Sequence, residues 1–199
     1  MIFQFFDEGT PSNGPLLLEK SCLEKRIGFN YLQFLEFTSR DVHDAVLQRA
    51  EPKPEELAHG EHYKEAICLG ATSPASIRYI SPEVGYGLFA EADIHKGTFI
   101  GEYTGVVREN NDHLTMNHYL YRYPVLDDIG RDYVIDAESG NLTRFINHSD
   151  SPNCITGYAF CSGLYHLIIT ANQTIPKGTQ ISYDYGRKYW RLRGKPTPL

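Results

Sequence analysis

The pattern of apolar and polar positions changes texture once along the chain. Before residue 70, leucines and aromatics mix with charges at helical spacing. After it, short β-branched and aromatic runs are separated by Gly, Pro, Asn and Asp. In the first part, residues 16–25 and 31–37 carry the mixed pattern of amphipathic helices. Ser39 predicts an N-cap, followed by Val42, Ala45, Val46 and Arg49 on one helical face. Pro52 and Pro54 interrupt the pattern. Pro54 suits a first helical turn, with Glu55 and Glu56 placed at the positive end of the helix dipole. That helix is expected to reach Leu69 and stop at Gly70, with Gly60 a weak point inside it. Residues 1–15, punctuated by Gly9, Pro11, Gly14 and Pro15, read as an irregular arm.

In the second part, residues 77–80, 87–90, 99–107, 119–125, 133–136, 165–171 and 180–185 read as strands. One phrase recurs: IHKGTFI over residues 94–100 and IPKGTQI over residues 175–181. Each is a turn leading into a strand, and two copies do not make a repeat architecture. The division expected is a helical N-terminal region over residues 1–75, a β-rich domain over 76–190 and a flexible basic tail over 191–199. The fold class is α+β.

Charge and cysteine usage narrow the function. The net charge of -6 gives no reason to expect direct nucleic-acid binding; such a surface can attract a Lys/Arg-rich protein, or serve only to keep the protein soluble. Cys22, Cys68, Cys154 and Cys161 form no C-x-x-C pair, which argues against a zinc site and for reduced thiols in a cytosolic-type protein. The opening MIFQFFDEG lacks a basic segment ahead of a long apolar core, and no apolar run approaches a membrane span. The expectation is a cytoplasmic protein without membrane contact.

Residues 140–153, GNLTRFINHSDSPN, are neither a plain strand nor a plain helix. Asn147 and His148 follow the apolar pair Phe145–Ile146, as when polar side chains are delivered to the edge of a core. Loops of this kind commonly carry function. Three other patterns fail on context. GYGLFA over residues 85–90 satisfies a dinucleotide-binding glycine pattern, but the turn at 95–97 leaves no room for the helix that pattern needs. His148, Ser149 and Asp150 are the letters of a hydrolase triad, but adjacent residues cannot aim three side chains in relay. Asp112, His113, His118 and Asp128 lack the spacing of a metal site.

Taken in order, GYGLFA (85–90), GEYTGV (101–106), YVIDA (133–137), RFINHSDSPN (144–153) and ISYDYG (181–186) resemble the SET-domain protein lysine methyltransferases over about residues 76–190. The resemblance implies a β-rich fold of short sheets with a threaded C-terminal crossing. It also implies methyl transfer from S-adenosylmethionine to the ε-amine of a lysine in a protein, in line along a narrow channel. The amine must be neutral to attack, against an ordinary pKa near ~10.4. An apolar aromatic channel beside a sulfonium lowers that value. Tyrosines suit such a channel, since they present flat apolar walls with an uncharged hydroxyl, and the sequence holds 14 of them.

Residue by residue, the resemblance gives Val84, Gly85 and Tyr86 the methionine part of the cofactor, and Asn147 and His148 its amino group and adenine side. Tyr119 becomes the channel tyrosine touching both cofactor and lysine. Tyr185 becomes the catalytic tyrosine, and Tyr183 the position that sets how many methyls are added. Glu102, Asp136, Asn141 and Arg144 become architectural. Two departures bear on the closure of the channel. Asp150 stands where many family members carry a zinc-binding cysteine, and no cysteine-rich segment flanks the domain. No metal is expected. Residues 187–193, with Tyr189 and Trp190, or a second subunit in a homodimer, then close the channel. The implied product is mono- or dimethyl-lysine on a basic, histone or histone-like protein. A catalytically inactive SET-like binding module is the alternative, although Asn147, His148 and Tyr185 are all present. The compact layout also resembles small SET proteins of intracellular bacteria, which leaves open a target in a host cell or its nucleus.

Overall fold

The computed structural model describes residues 1–8, 14–111, 117–126 and 130–193, with side chains of this last stretch described up to Arg191. Asp112, His113 and Asp128 of the rejected metal pattern lie outside the described residues, as do residues 194–199. The chain begins with β1 (Ile2–Phe6), β2 (Leu16–Glu19), α1 (Lys20–Ile27), β3 (Glu36–Phe37), α2 (Arg40–Gln48) and α3 (Pro54–Leu69). There follow β4 (Ala75–Ser81), β5 (Gly85–Ala90), β6 (Phe99–Glu102), β7 (Val106–Glu109), β8 (Leu120–Leu126) and β9 (Asp132–Asp136). A 3-10 turn (Leu142–Phe145), β10 (Asn147–His148), β11 (Cys154–Cys161), β12 (Leu164–Ala171), β13 (Ser182–Tyr183) and α4 (Arg187–Arg193) complete it. Four small sheets result, in the orders β2-β1-β4-β5, β10-β13, β11-β12-β6 and β3-β7-β9-β8. No helix among the described residues is long and apolar enough to cross a membrane.

The helical signals act as their chemistry requires. The Ser39 hydroxyl accepts from the backbone N–H of Val42 and starts α2. Pro54 opens α3, the Glu56 carboxylate accepts from the Lys53 N–H, and Gly70 closes the helix in the left-handed conformation. Gly60 is a packing requirement. A Cβ there would stand 1.9 Å from the carbonyl oxygen of Phe160, so only glycine lets α3 lie directly on β11.

The N-terminal part departs from expectation in three places. Ile2–Phe6 is a strand and not part of an irregular arm, because Phe3 and Phe5 alternate into the core. β1 runs parallel to β4 and pairs antiparallel with β2, which occupies positions expected to be helical. Residues 31–37 are extended, with Tyr31 bridging to Gly140 and β3 pairing with β7. The helical content of the region therefore sits in α1, α2 and α3. In the second part, β11 is a strand the pattern did not reveal, and α4 continues into residues 191–193, where a loose tail was expected.

The recurring phrase has a structural counterpart. Ile94 and Ile175 exchange backbone hydrogen bonds of 2.9 and 2.8 Å, so the two turns bridge each other. Gly97 and Gly178 supply the positive φ that each turn needs. The core that backs this frame includes Phe5, Ile77, Leu88, Ile100, Ile135, Ile146 and Ile169.

Candidate active site

The segment from Asn141 to Asn153 is pinned by its own side chains. The Asn141 amide donates to the Glu102 carbonyl, and its oxygen accepts from the N–H and the hydroxyl of Thr143. This fastens the 3-10 turn to β6 and carries Arg144 inward. Arg144 Nε donates to the Ala137 carbonyl, and the guanidinium lies 4.2 Å from the centre of the Tyr119 ring. β10 then pairs in parallel with β13, which brings Asn147 beside Ser182 and His148 beside Tyr183. Asn153 ties the far end, donating to the Gln180 carbonyl and accepting from the Ser182 N–H. The C-terminal segment is thereby held against residues 147–153 along its length.

These contacts set the orientation of the polar pair. The Asn147 amide donates to the Tyr86 carbonyl at 3.1 Å. Gly87 keeps that approach open, because a Cβ there would come within 3.1 Å of the same amide nitrogen. His148 Nδ1 accepts from the Tyr185 N–H at 3.2 Å, which leaves the ring proton on Nε2, 3.3 Å from the Asp150 carboxylate. The Tyr86 side chain turns toward the N-terminal strand, where its hydroxyl donates to Asp7 at 2.9 Å while Asp7 also pairs with Arg26. Burial, and then the Asp7 carboxylate, push the Tyr86 phenol up to about 12.

Two cavities meet at these residues. A cleft of about 840 Å³ is lined by Val84, Gly85, Tyr86, Tyr119, Asn147 and His148, together with Ile27, Gly28, Glu83, Glu138, Arg144 and Trp190. A second cavity of about 30 Å³ is lined by Tyr103, Tyr119, Tyr121, Tyr183, Tyr185 and Tyr189. Tyr119, Arg144 and Tyr185 border both. All eight residues singled out from the sequence thus border one cavity or both. Sequence reading missed Tyr103 and Tyr121 as walls of the small cavity, although Tyr103 lies within the GEYTGV motif. It also missed Asp7, which has no local sequence signal because its role depends on β1 pairing with β4.

The small cavity is walled mainly by tyrosines, with Arg144 and His118 also on its lining. Tyr183 is buried, and its ring centre lies 4.9 Å from that of Tyr185. The Tyr185 hydroxyl donates to the Ile146 carbonyl at 2.9 Å. Burial first, and neighbouring tyrosines second, raise the Tyr103, Tyr183 and Tyr185 phenols far above the usual range, so all three are protonated at neutral pH. From α4, Trp190 stacks on Tyr185 at an interplanar angle of 10°, Tyr189 meets it edge-on, and Trp190 also packs against His148.

Comparison with known proteins assigns the class. The SET domain family model matches residues 85–186, and the chain belongs to that family. Histone-lysine N-methyltransferase EHMT1 of Mus musculus is 30% identical over 122 residues, which cover 59% of this chain and 9% of that protein. The Drosophila melanogaster histone-lysine N-methyltransferase trr is 39% identical over 105 residues, covering 51% of this chain and 4% of that protein. The Danio rerio N-lysine methyltransferase KMT5A-A is 31% identical over 138 residues, covering 63% and 39%. The chain spans less than a tenth of the length of the first two. Among solved structures, ATXR5 in complex with histone H3.1 has the same fold, with a TM-score of 0.62 at 21% identity over 83% of this chain and 84% of that one. A polycomb repressive complex 2 bound to S-adenosylmethionine matches with a TM-score of 0.52 and 25% identity, over 66% of this chain and 19% of that one.

Proposed function

We propose that the protein transfers a methyl group from S-adenosylmethionine to a lysine ε-amine of a basic protein, a histone or histone-like one, and forms mainly mono- and dimethyl-lysine. The observation that carries this reading is the junction of a nucleoside-sized cleft with a tyrosine-walled cavity at Tyr119 and Tyr185. The cleft fits a cationic sulfonium nucleoside. It offers the carboxylates of Glu83 and Glu138, and it is lined by Trp190, whose buried indole N–H has no acceptor among the described residues. Gly85, with φ of 73° and open space where a Cβ would stand, leaves the strand backbone accessible. Asn147, His148 and the backbone of residues 84–86 would hold the cofactor, with Trp190 beside them.

When bound, S-adenosylmethionine supplies an electrophilic methyl group. The chain's own residues prepare the nucleophile. Tyr103, Tyr183 and Tyr185 shield the amine from bulk solvent and so favour its neutral form. None of them serves as the base at neutral pH, because burial keeps each phenol protonated. The proton must therefore leave to solvent before the amine is enclosed. The Tyr185 O–H is committed to Ile146, so its free lone pairs accept from the amine and orient it. Tyr189 and Trp190 of α4 close the channel from within the same chain. The acidic net charge favours a lysine-rich partner. The test is methyl transfer from isotopically labelled S-adenosylmethionine to a panel of basic proteins, with sites mapped by mass spectrometry. Transfer to lysine in at least one panel member is expected. Cofactor binding without transfer to any member would point to the inactive module.

A further inference from the structure

Arg144 lies between the two cavities in an unusual electrostatic state. It is 9% exposed, yet no carboxylate among the described residues stands within ion-pair distance of its guanidinium. Its contacts are the Nε bond to the Ala137 carbonyl, a side-chain hydrogen bond with Tyr119, and the faces of Tyr119, Phe29 and Phe145, at 4.2, 4.7 and 4.9 Å. The acids that could neutralise it are placed elsewhere. Asp136 on β9 is engaged by Arg108 at 2.9 Å, and Glu138, just beyond β9, is exposed. The other titratable groups around it are Tyr103, His118, Tyr119, Tyr185 and Tyr189. Burial penalises the charged guanidinium, and the adjoining phenols and Glu138 partly offset that penalty. A buried cation left without an anion is costly, and such groups concentrate where the charge serves the site.

Resting on the methyltransferase reading, we infer that Arg144 is an electrostatic positioning residue that keeps the substrate lysine neutral in the tyrosine channel. The guanidinium borders the small cavity that would receive the amine, as well as the cofactor cleft. A second cation entering beside a fixed, unpaired one is disfavoured, whereas a neutral amine is not. At an effective dielectric of ~20 and a separation of roughly 10 Å, the repulsion amounts to about one pH unit on the ammonium. The charge is also permanent, because arginine does not deprotonate in proteins. Unlike the sulfonium charge, it remains after each turnover.

Two measurements test this. The first is the pH dependence of kcat, which reports the bound complex, on the basic protein methylated fastest in the panel assay. It is run for the wild type, Arg144→Met and Arg144→Lys from neutral pH to about 9.5. The acid limb of Arg144→Met is expected about one pH unit above the wild-type limb, a tenfold loss at fixed pH on that limb. Arg144→Lys, whose ammonium loses its proton more readily in this buried site, is expected to give a limb between those of the wild type and Arg144→Met. A purely structural role lowers kcat in both variants without moving the limb, and an unmoved limb in Arg144→Met overturns the inference.

The second needs no variant. A peptide from the same substrate, carrying ¹³C at the lysine ε-carbon, is titrated by NMR in complex with the wild type and S-adenosylhomocysteine, which has no sulfonium charge. The lysine pKa is expected about one unit or more below ~10.4. An unshifted value overturns the inference even if Arg144→Met fails to fold. Failure of the wild type to methylate any panel protein would overturn the underlying reading. Methylation with an unmoved limb would overturn the role of Arg144 alone.

Discussion

The hydroxyl of Tyr185 donates to the backbone carbonyl of Ile146 at 2.9 Å, one residue before the Asn147–His148 pair. The bond fixes the phenol oxygen at the junction of the two cavities with its lone pairs directed away from the carbonyl. Tyr185→Phe removes that oxygen while preserving the ring contacts with Tyr183, Trp190 and His148. Its kcat is expected to fall on the order of a hundredfold or more, the usual loss when one positioned group is removed. The Kd for S-adenosylmethionine, measured by calorimetry, should stay near that of the wild type.

Asn147 joins β10 to the Tyr86 carbonyl and is held at the crossing by the pairing of β10 with β13. Asn147→Ala leaves the Tyr86 carbonyl without that donor and removes a proposed cofactor ligand. Cofactor binding should weaken at least tenfold by calorimetry, and stability should fall by about 1–3 kcal/mol in chemical denaturation. Unchanged affinity in the folded variant would sink this assignment.

Tyr183 is buried beside a cavity of about 30 Å³, and none of its hydrogen bonds to the described residues occupies the hydroxyl. A space of that size accommodates a water or two. Water held by the hydroxyl competes with added methyl groups for the same volume. Tyr183→Phe is expected to move the product distribution toward di- and trimethyl-lysine, with activity retained. Mass spectrometry of a defined substrate peptide under excess cofactor reads the shift, and an identical distribution in the two proteins would refute it.

Away from the cavities, His166 Nδ1 and the buried Glu102 carboxylate are 2.7 Å apart. Burial disfavours the imidazolium, but hydrogen bonding and charge from Cys161 and Glu102 outweigh it and raise the group to about 10. The folded value lies above the ~6.5 of a free imidazole, so this stabilisation is complete below ~6.5. It is lost as pH rises through about 10. Between neutral pH and 10 the wild type should lose more unfolding free energy than His166→Gln, whose side chain does not titrate. Denaturation midpoints measured across that range check it; parallel curves would dismiss the coupling.

Much of the site was legible because its residues are local. GNLTRFINHSDSPN carries its own fastenings, Asn141 to Thr143 within the turn and Asn153 to the C-terminal segment, and YDYG supplies the opposing tyrosines. The helix boundaries at Ser39, Pro54 and Gly70 were equally readable, since capping chemistry acts within a turn. The unread parts depend on distant partners. β1 looked like an arm because its alternation of Phe3 and Phe5 is short and is stabilised by β4, some seventy residues on. β11 escaped notice because its face toward α3 carries small residues, Gly157, Ala159 and Cys161. Cys154, Ala159 and Cys161 are buried, and α3 presses on the strand through Gly60. Residues 31–37 have the apolar frequency of a helix, but Leu32, Glu36 and Thr38 give their backbone N–H groups to Gly140, Gly105 and Val107.

The mutual bridge of Ile94 and Ile175 has a consequence for how the protein comes into being. It joins positions separated by most of the domain, and the closing of so long a loop is a slow, entropically opposed event. Tyr183, Tyr185 and Trp190 all come after that bridge in the chain, and they lie against His148, which comes before it. A ribosome that has delivered everything up to Ile175 has therefore made most of the hydrophobic core but not the tyrosine-walled cavity. The aromatic cavity is completed last, by residues 183–190, so the burial of Tyr183 and Tyr185 reports the completion of folding more strictly than any measure of secondary structure.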